Sequence, residues 1–111
     1  MAVCRIIDTG ATSEQYEQVR SKLGLDEDSA PPGAHIHVAA MREDGTIRVV
    51  EVWESRDQAD AWGEQVRAVR QELGIGDAPP PITYYEVHRV TVKEVPSGSK
   101  PIEGVGTAPA G

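Results

Sequence analysis

The chain has 111 residues, 18 of them acidic and 11 basic, for a net charge of −7. That length suits one domain with a core of its own, and the acidic balance argues against nucleic acid or an anionic membrane surface as the main partner. A single cysteine, Cys4, excludes an intrachain disulfide framework and a multi-cysteine zinc site.

The first apolar stretch, Val3 to Ile7, is mostly β-branched and reads as a strand broken by Asp8-Thr9-Gly10. Thr12-Ser13-Glu14-Gln15 has the spacing of a capping box, in which the N-cap hydroxyl and the N3 side chain satisfy each other's backbone donors. Tyr16, Val19 and Leu23 follow at helical spacing up to Gly24, so a helix is expected over Ser13 to Leu23. Asp26 to Gly33 is a polar, proline-bearing loop. Ala34 to Met41 and Ile47 to Trp53 are the next two strands, joined as a hairpin through Asp44-Gly45. Ser55-Arg56-Asp57-Gln58 repeats the capping spacing. Ala59, Trp62, Val66, Val69 and Leu73 then form one apolar helix face closed by Gly74. After Pro79-Pro80-Pro81, Ile82 to Val92 is expected as the last strand.

The order is βαββαβ, with a weak internal echo between Leu23-Gly24-Leu25 and Leu73-Gly74-Ile75. The expected class is α+β: a ferredoxin-like domain over residues 1–92, with a four-stranded antiparallel sheet and two helices on one face. Residues 93–111 are rich in Gly, Pro and Ser and read as a tail. No apolar run approaches the ~18 residues of a membrane span. The start, MAVCRIIDTG, lacks a charged region followed by a long apolar stretch, so a cytoplasmic protein is expected.

The third strand is apolar on both faces: Ile47 and Val49 share one with Glu51 and Trp53, while Val50 and Val52 share the other with Arg48. Two helices cover one face of such a sheet. The other face calls for a partner, and a homodimer packed sheet to sheet is expected.

These features resemble the dimeric α+β barrel proteins, the superfamily that includes the antibiotic-biosynthesis-monooxygenase-like domains. The resemblance rests on the βαββαβ order, on Gly33, His35, His37, Val38 and Ala39 of the second strand, and on Val49-Val50-Glu51-Val52-Trp53-Glu54-Ser55. It spans residues 3 to 92, and small actinobacterial members carry a similar strand leading into the second helix. What it implies is a homodimeric barrel and a cofactor-independent enzyme of secondary metabolism. Such an enzyme would oxygenate or cyclise a hydrophobic, polyketide-like or aromatic small molecule. The haem-degrading branch uses an axial histidine on the second helix, and none lies between Ser55 and Leu73.

Among the residues, His35 and His37 stand at i and i+2, where regular alternation gives them one face. His37 is the expected general base, with His35 a substrate contact. A pair of metal ligands completed by Glu51, Glu86 or His88 is the other reading of the same spacing. His88 follows Tyr84 and Glu86 on the last strand. In the resembling cyclases a Tyr and a His in the cleft transfer protons, which makes Tyr85 or His88 the expected oxyanion partner. Tyr84 is a further substrate contact, and Trp53 is similar in kind to the tryptophan of cofactor-free monooxygenases and would stack on a flat ring. Arg5 and Glu51 complete the expected contacts, although an ion pair of Arg5 with Asp8 or Glu51 suits Arg5 equally. The alternative functions are a non-enzymatic ligand-binding or stress-response dimer and a metal-binding barrel using His35 and His37.

Overall fold

The structure, a computed structural model, describes residues 1–25, 30–76 and 80–93. The elements run β1 (Val3–Thr12), α1 (Ser13–Lys22), β2 (Ala34–Met41), β3 (Thr46–Trp53), α2 (Arg56–Glu72) and β4 (Ile82–Glu86). All strand pairs are antiparallel, in the spatial order β2-β3-β1-β4. This is the expected four-stranded ferredoxin-like sheet. Most of the tail, from residue 94 onward, lies outside the described residues.

Local chemistry sets the element boundaries. Thr12 Oγ1 accepts from the Gln15 backbone N–H at 3.2 Å, and Gln15 Oε1 accepts from Thr12 N at 3.0 Å, so the first capping box is complete. At α2, Ser55 Oγ accepts from Gln58 N, but Gln58 Oε1 turns to the Ser55 hydroxyl instead of its backbone. Both helices stop in the same way. Gly24 (φ 76°) and Gly74 (φ 72°) adopt left-handed conformations, and the amides of Leu25 and Ile75 reach back to the carbonyls of Arg20 and Arg70. The echo seen in the sequence is therefore a repeated Schellman stop.

Two strands differ from expectation. β1 does not break at Asp8 but continues to Thr12 through an irregular stretch, where Gly10 (φ 68°) supplies the left-handed turn. Thr9 holds that stretch, donating from its hydroxyl to the Ile47 carbonyl (2.7 Å) and accepting from Ala11 N. β4 ends at Glu86 instead of Val92; beyond it, Val87 N still bonds the Ala2 carbonyl.

The helices cover one sheet face. Under them, Ile7, Ile47 and Val49 pack with Tyr16, and Ala11, Val19 and Ile75 pack with Leu23, Val66 and Val69. Trp53 and Ala59 are fully buried. The opposite face carries two cross-strand rows, Val38-Val50-Ile6-Thr83 and Ile36-Val52-Cys4-Tyr85. Val38 remains 48% exposed and Tyr85 58%. At its end Arg48 forks onto Asp8, with Nε and Nη2 donating at 2.6 and 3.0 Å. That hydrogen bond and charge hold the Asp8 carboxyl below its ordinary value. Among the described residues, no helix is long and apolar enough to cross a membrane.

Candidate active site

A cavity of about 110 Å³ lies between the sheet and both helices. Ile7, Val19, Val49 and Val66 give it an apolar body, and Arg5, Tyr16, His37 and Glu51 bring polar groups to its wall. Such a cavity with a few convergent polar groups is the usual form of a small-molecule site.

The polar groups form one connected chain across four elements. Glu51 on β3 stands opposite Arg5 of β1 and His37 of β2 in the two strand registers. Its Oε1 accepts from Arg5 Nη1 (3.1 Å) and from Trp53 Nε1 (3.0 Å). Its Oε2 lies 2.8 Å from His37 Nδ1. From α1, Tyr16 reaches down so that its hydroxyl meets His37 Nε2 at 2.5 Å, with the two rings stacked at 6.0 Å between centroids.

Electrostatics fix the proton positions. Burial by itself raises the Glu51 pKa, but the hydrogen bonds from His37 and Trp53 and the charges of His37 and Arg5 outweigh it, leaving the carboxyl below its ordinary value. An ionised carboxylate only accepts, so His37 Nδ1 carries a hydrogen toward Glu51, and in the neutral form of the ring Nε2 is the acceptor for the Tyr16 hydroxyl. Burial in turn raises the Tyr16 pKa, against the nearby Arg20 charge, and keeps the phenol protonated at neutral pH. The result is a hydroxyl, an imidazole and a carboxylate in series, the order used to activate a hydroxyl or relay a proton. His37 is the most accessible of the connected strand residues, with 30% of its side chain exposed.

Of the residues singled out in the sequence, the structure brings Arg5, His37 and Glu51 together at the cavity. Arg5 makes the ion pair with Glu51 and not with Asp8. His35 does not join them. A one-residue shift in the pairing of β2 with β3 falls between Ala34 and Ile36, so strict alternation fails there and Ala34 lines the cavity beside His37. His35 itself falls at the shift, has no partner in the β3 register and is not among the residues lining the cavity. Among the described residues, no three His, Cys, Asp or Glu side chains are grouped to hold a metal ion.

The remaining placements also differ. Trp53 is fully buried and does not reach the cavity; its indole N–H holds Glu51 in place, and the indole on the wall is that of Trp62. Tyr85 pairs with Cys4 on the open sheet face, opposite the cavity, and His88 lies past the end of β4. Tyr84 faces the helices, but its hydroxyl donates to Asp60 and its ring lies under the Arg56 guanidinium at 4.2 Å, away from the cavity wall. Tyr16 went unassigned because its apolar spacing with Val19 and Leu23 reads as helix packing. The signal for it was that this same stripe faces the strand side carrying His37 and Glu51.

No family model and no curated protein matches the sequence. Solved structures do match the fold. A Deinococcus radiodurans protein described as an antibiotic biosynthesis monooxygenase superposes with a TM-score of 0.51 at 14% identity, over 86% of this chain and 100% of that one. SnoaB, a cofactor-independent oxygenase from Streptomyces nogalater, was solved as a point variant and gives 0.51 at 10% identity, over 83% and 96%. A Nitrosomonas europaea protein of unknown function gives 0.56 at 16% identity, over 85% and 94%. The fold is that of the antibiotic biosynthesis monooxygenases. In this chain the cavity of that fold carries the Tyr16-His37-Glu51 series.

Proposed function

We propose that the protein is a cofactor-independent enzyme that removes a proton from an activated carbon or hydroxyl of a hydrophobic, aromatic or polyketide-like molecule. The observation that carries this reading is the Tyr16-His37-Glu51 series opening on an apolar cavity. The substrate proton passes to the Tyr16 oxygen as the Tyr16 proton passes to His37 Nε2. The imidazolium so formed is stabilised by the ionised Glu51, which Arg5 and Trp53 hold in position. The substrate anion then either attacks a carbonyl of the same molecule, closing a ring, or adds to dioxygen, and the alkoxide or peroxide so formed takes the proton back from the imidazolium through Tyr16. Trp62, in the wall, serves as the flat surface for an aromatic ring. The likeness in fold to a cofactor-independent oxygenase favours the oxygen branch.

The open face supports a homodimer. Its two apolar rows form a continuous patch that water would otherwise cover, with the one strong charge pair, Asp8 and Arg48, neutralised at the border.

The deciding experiment uses anthrone, whose methylene is activated by two aromatic rings, and follows oxygen uptake and solvent deuterium exchange at that carbon. The wild-type protein should catalyse exchange, and His37→Ala should abolish it while keeping the native circular dichroism spectrum. Absence of exchange in the wild type, or an unchanged rate in His37→Ala, refutes the reading.

A further inference from the structure

Among the described residues, the cavity wall carries more cationic than anionic side chains. The protein is acidic overall, yet Arg5, Arg20 and Arg70 line the cavity against the single carboxylate of Glu51. Arg5 is matched by Glu51, and Arg20 lies against Tyr16. Elsewhere Arg42, Arg48 and Arg56 each reach a carboxylate. Arg70 differs: its Nη2 donates to the Thr9 carbonyl at 3.1 Å, and among the described residues no carboxylate lies within ion-pair distance.

A half-buried guanidinium without a counter-charge is costly unless something else supplies one. Burial already pulls the Arg70 pKa down, a sign that the charge has lost hydration without a matching carboxylate among the described residues. The side chain presents five N–H donors in a planar fork, and the Thr9 carbonyl occupies only one edge of it. A carboxylate fits the remainder in the bidentate manner that guanidinium favours. The position is also informative. Thr9 lies four residues along β1 from Arg5, roughly 13 Å at ~3.3 Å per residue, whereas Glu51 and His37 are level with Arg5.

We propose that the cavity selects an anionic substrate, with Arg70 as the specificity residue that takes its carboxylate. The inference rests on the cavity being the substrate site and deepens that reading. The substrate is then an elongated aromatic acid, with the carboxylate toward the Thr9 end and the acidic proton toward Tyr16. Arg70 acts by binding and orientation alone, leaving proton transfer to Tyr16 and His37.

The test compares 2-naphthoate with its neutral isostere 2-naphthamide by calorimetric titration at pH 7. Wild-type protein should bind the naphthoate at least about tenfold more tightly, the gain of a charge-assisted hydrogen-bonded pair. Arg70→Gln should bring the ratio to about one, and Arg70→Lys, which keeps the charge, should restore part of it. Equal binding of the two probes by the wild type, binding of neither, or a full preference in folded Arg70→Gln overturns the proposal. The wild-type comparison stands even where a variant fails to fold. His37→Ala should keep the preference. A retained preference together with no anthrone exchange would sink the proton-transfer reading while leaving the anion site intact.

Discussion

His37 and Glu51 occupy directly opposed positions on β2 and β3, and the imidazole Nδ1 lies 2.8 Å from the carboxylate. The other oxygen of the same carboxylate neutralises a guanidinium that is 4% exposed. One side chain thus holds the imidazole and balances a buried charge, and the two duties can be separated by substitution. Glu51→Gln keeps the shape but no longer stabilises the imidazolium. It should lower the anthrone exchange rate by about 10²–10⁴-fold, the usual scale of a general acid–base contribution. Glu51→Ala also leaves Arg5 buried and unpaired, and should cost about 3–5 kcal/mol in a urea titration.

The same carboxylate makes stability depend on pH in a defined direction. Its folded pKa lies below its unfolded value, so the stabilisation it contributes is complete above about pH 4.3, the reference value for glutamate. It is lost as the pH falls through the lower folded value. The thermal midpoint of the wild type should therefore fall more steeply with acid below about pH 4.3 than that of Glu51→Gln. Parallel curves for the two proteins would show that Glu51 gains nothing from its partners.

Tyr16→Phe removes the hydroxyl that joins the cavity to His37 Nε2 while keeping the ring packed on Ile7, Ile47 and Val49. It should lower the exchange rate by about 10²-fold or more and leave the thermal midpoint close to that of the wild type. Tyr85→Phe and His88→Ala, both outside the cavity, should leave the rate unchanged. A rate lost in either of those and kept in Tyr16→Phe would reverse the assignment.

Gly63 on α2 faces the Arg5 guanidinium so closely that an added Cβ would lie 2.8 Å from Nη2. Arg5 is buried and holds Glu51 at 3.1 Å, so its guanidinium cannot shift without loosening that ion pair. Gly63→Ala should destabilise the fold by about 1–3 kcal/mol, the scale of overpacking, despite the better helix propensity of alanine. Chemical denaturation measures this directly; a stabilised variant would mean that the Arg5–Glu51 pair is not held against α2.

Val50 lies at the centre of the open sheet face, between Val38 and Ile6. Val50→Asp should convert a dimer to a monomer in analytical ultracentrifugation without changing the secondary structure. A wild-type protein that sediments as a monomer at micromolar concentration would remove the dimer from the proposal.

Much of the architecture was legible because it is local. The Thr12 and Ser55 caps, the Gly24 and Gly74 stops and the Asp44-Gly45 turn are properties of four or five consecutive residues, and each is where its chemistry places it. The candidate site was legible in part. Arg5, His37 and Glu51 fall on inward strand positions that alternation identifies. Tyr16 meets His37 only through the packing of α1 on the sheet, across 21 residues of sequence, and no short-range spacing encodes that contact. The face of Tyr85 depends on the register of β4 against β1, where a step of one residue exchanges the two sides, and no local spacing encodes that register.

The extra residue in β2 has a consequence for how such a site changes over generations. Deleting Ala34 would bring His35 opposite Trp53 and restore unbroken alternation along β2, with two imidazoles, in place of one, on the side of Glu51. A change of one residue would thus alter which side chains face the cavity while leaving the fold as it is.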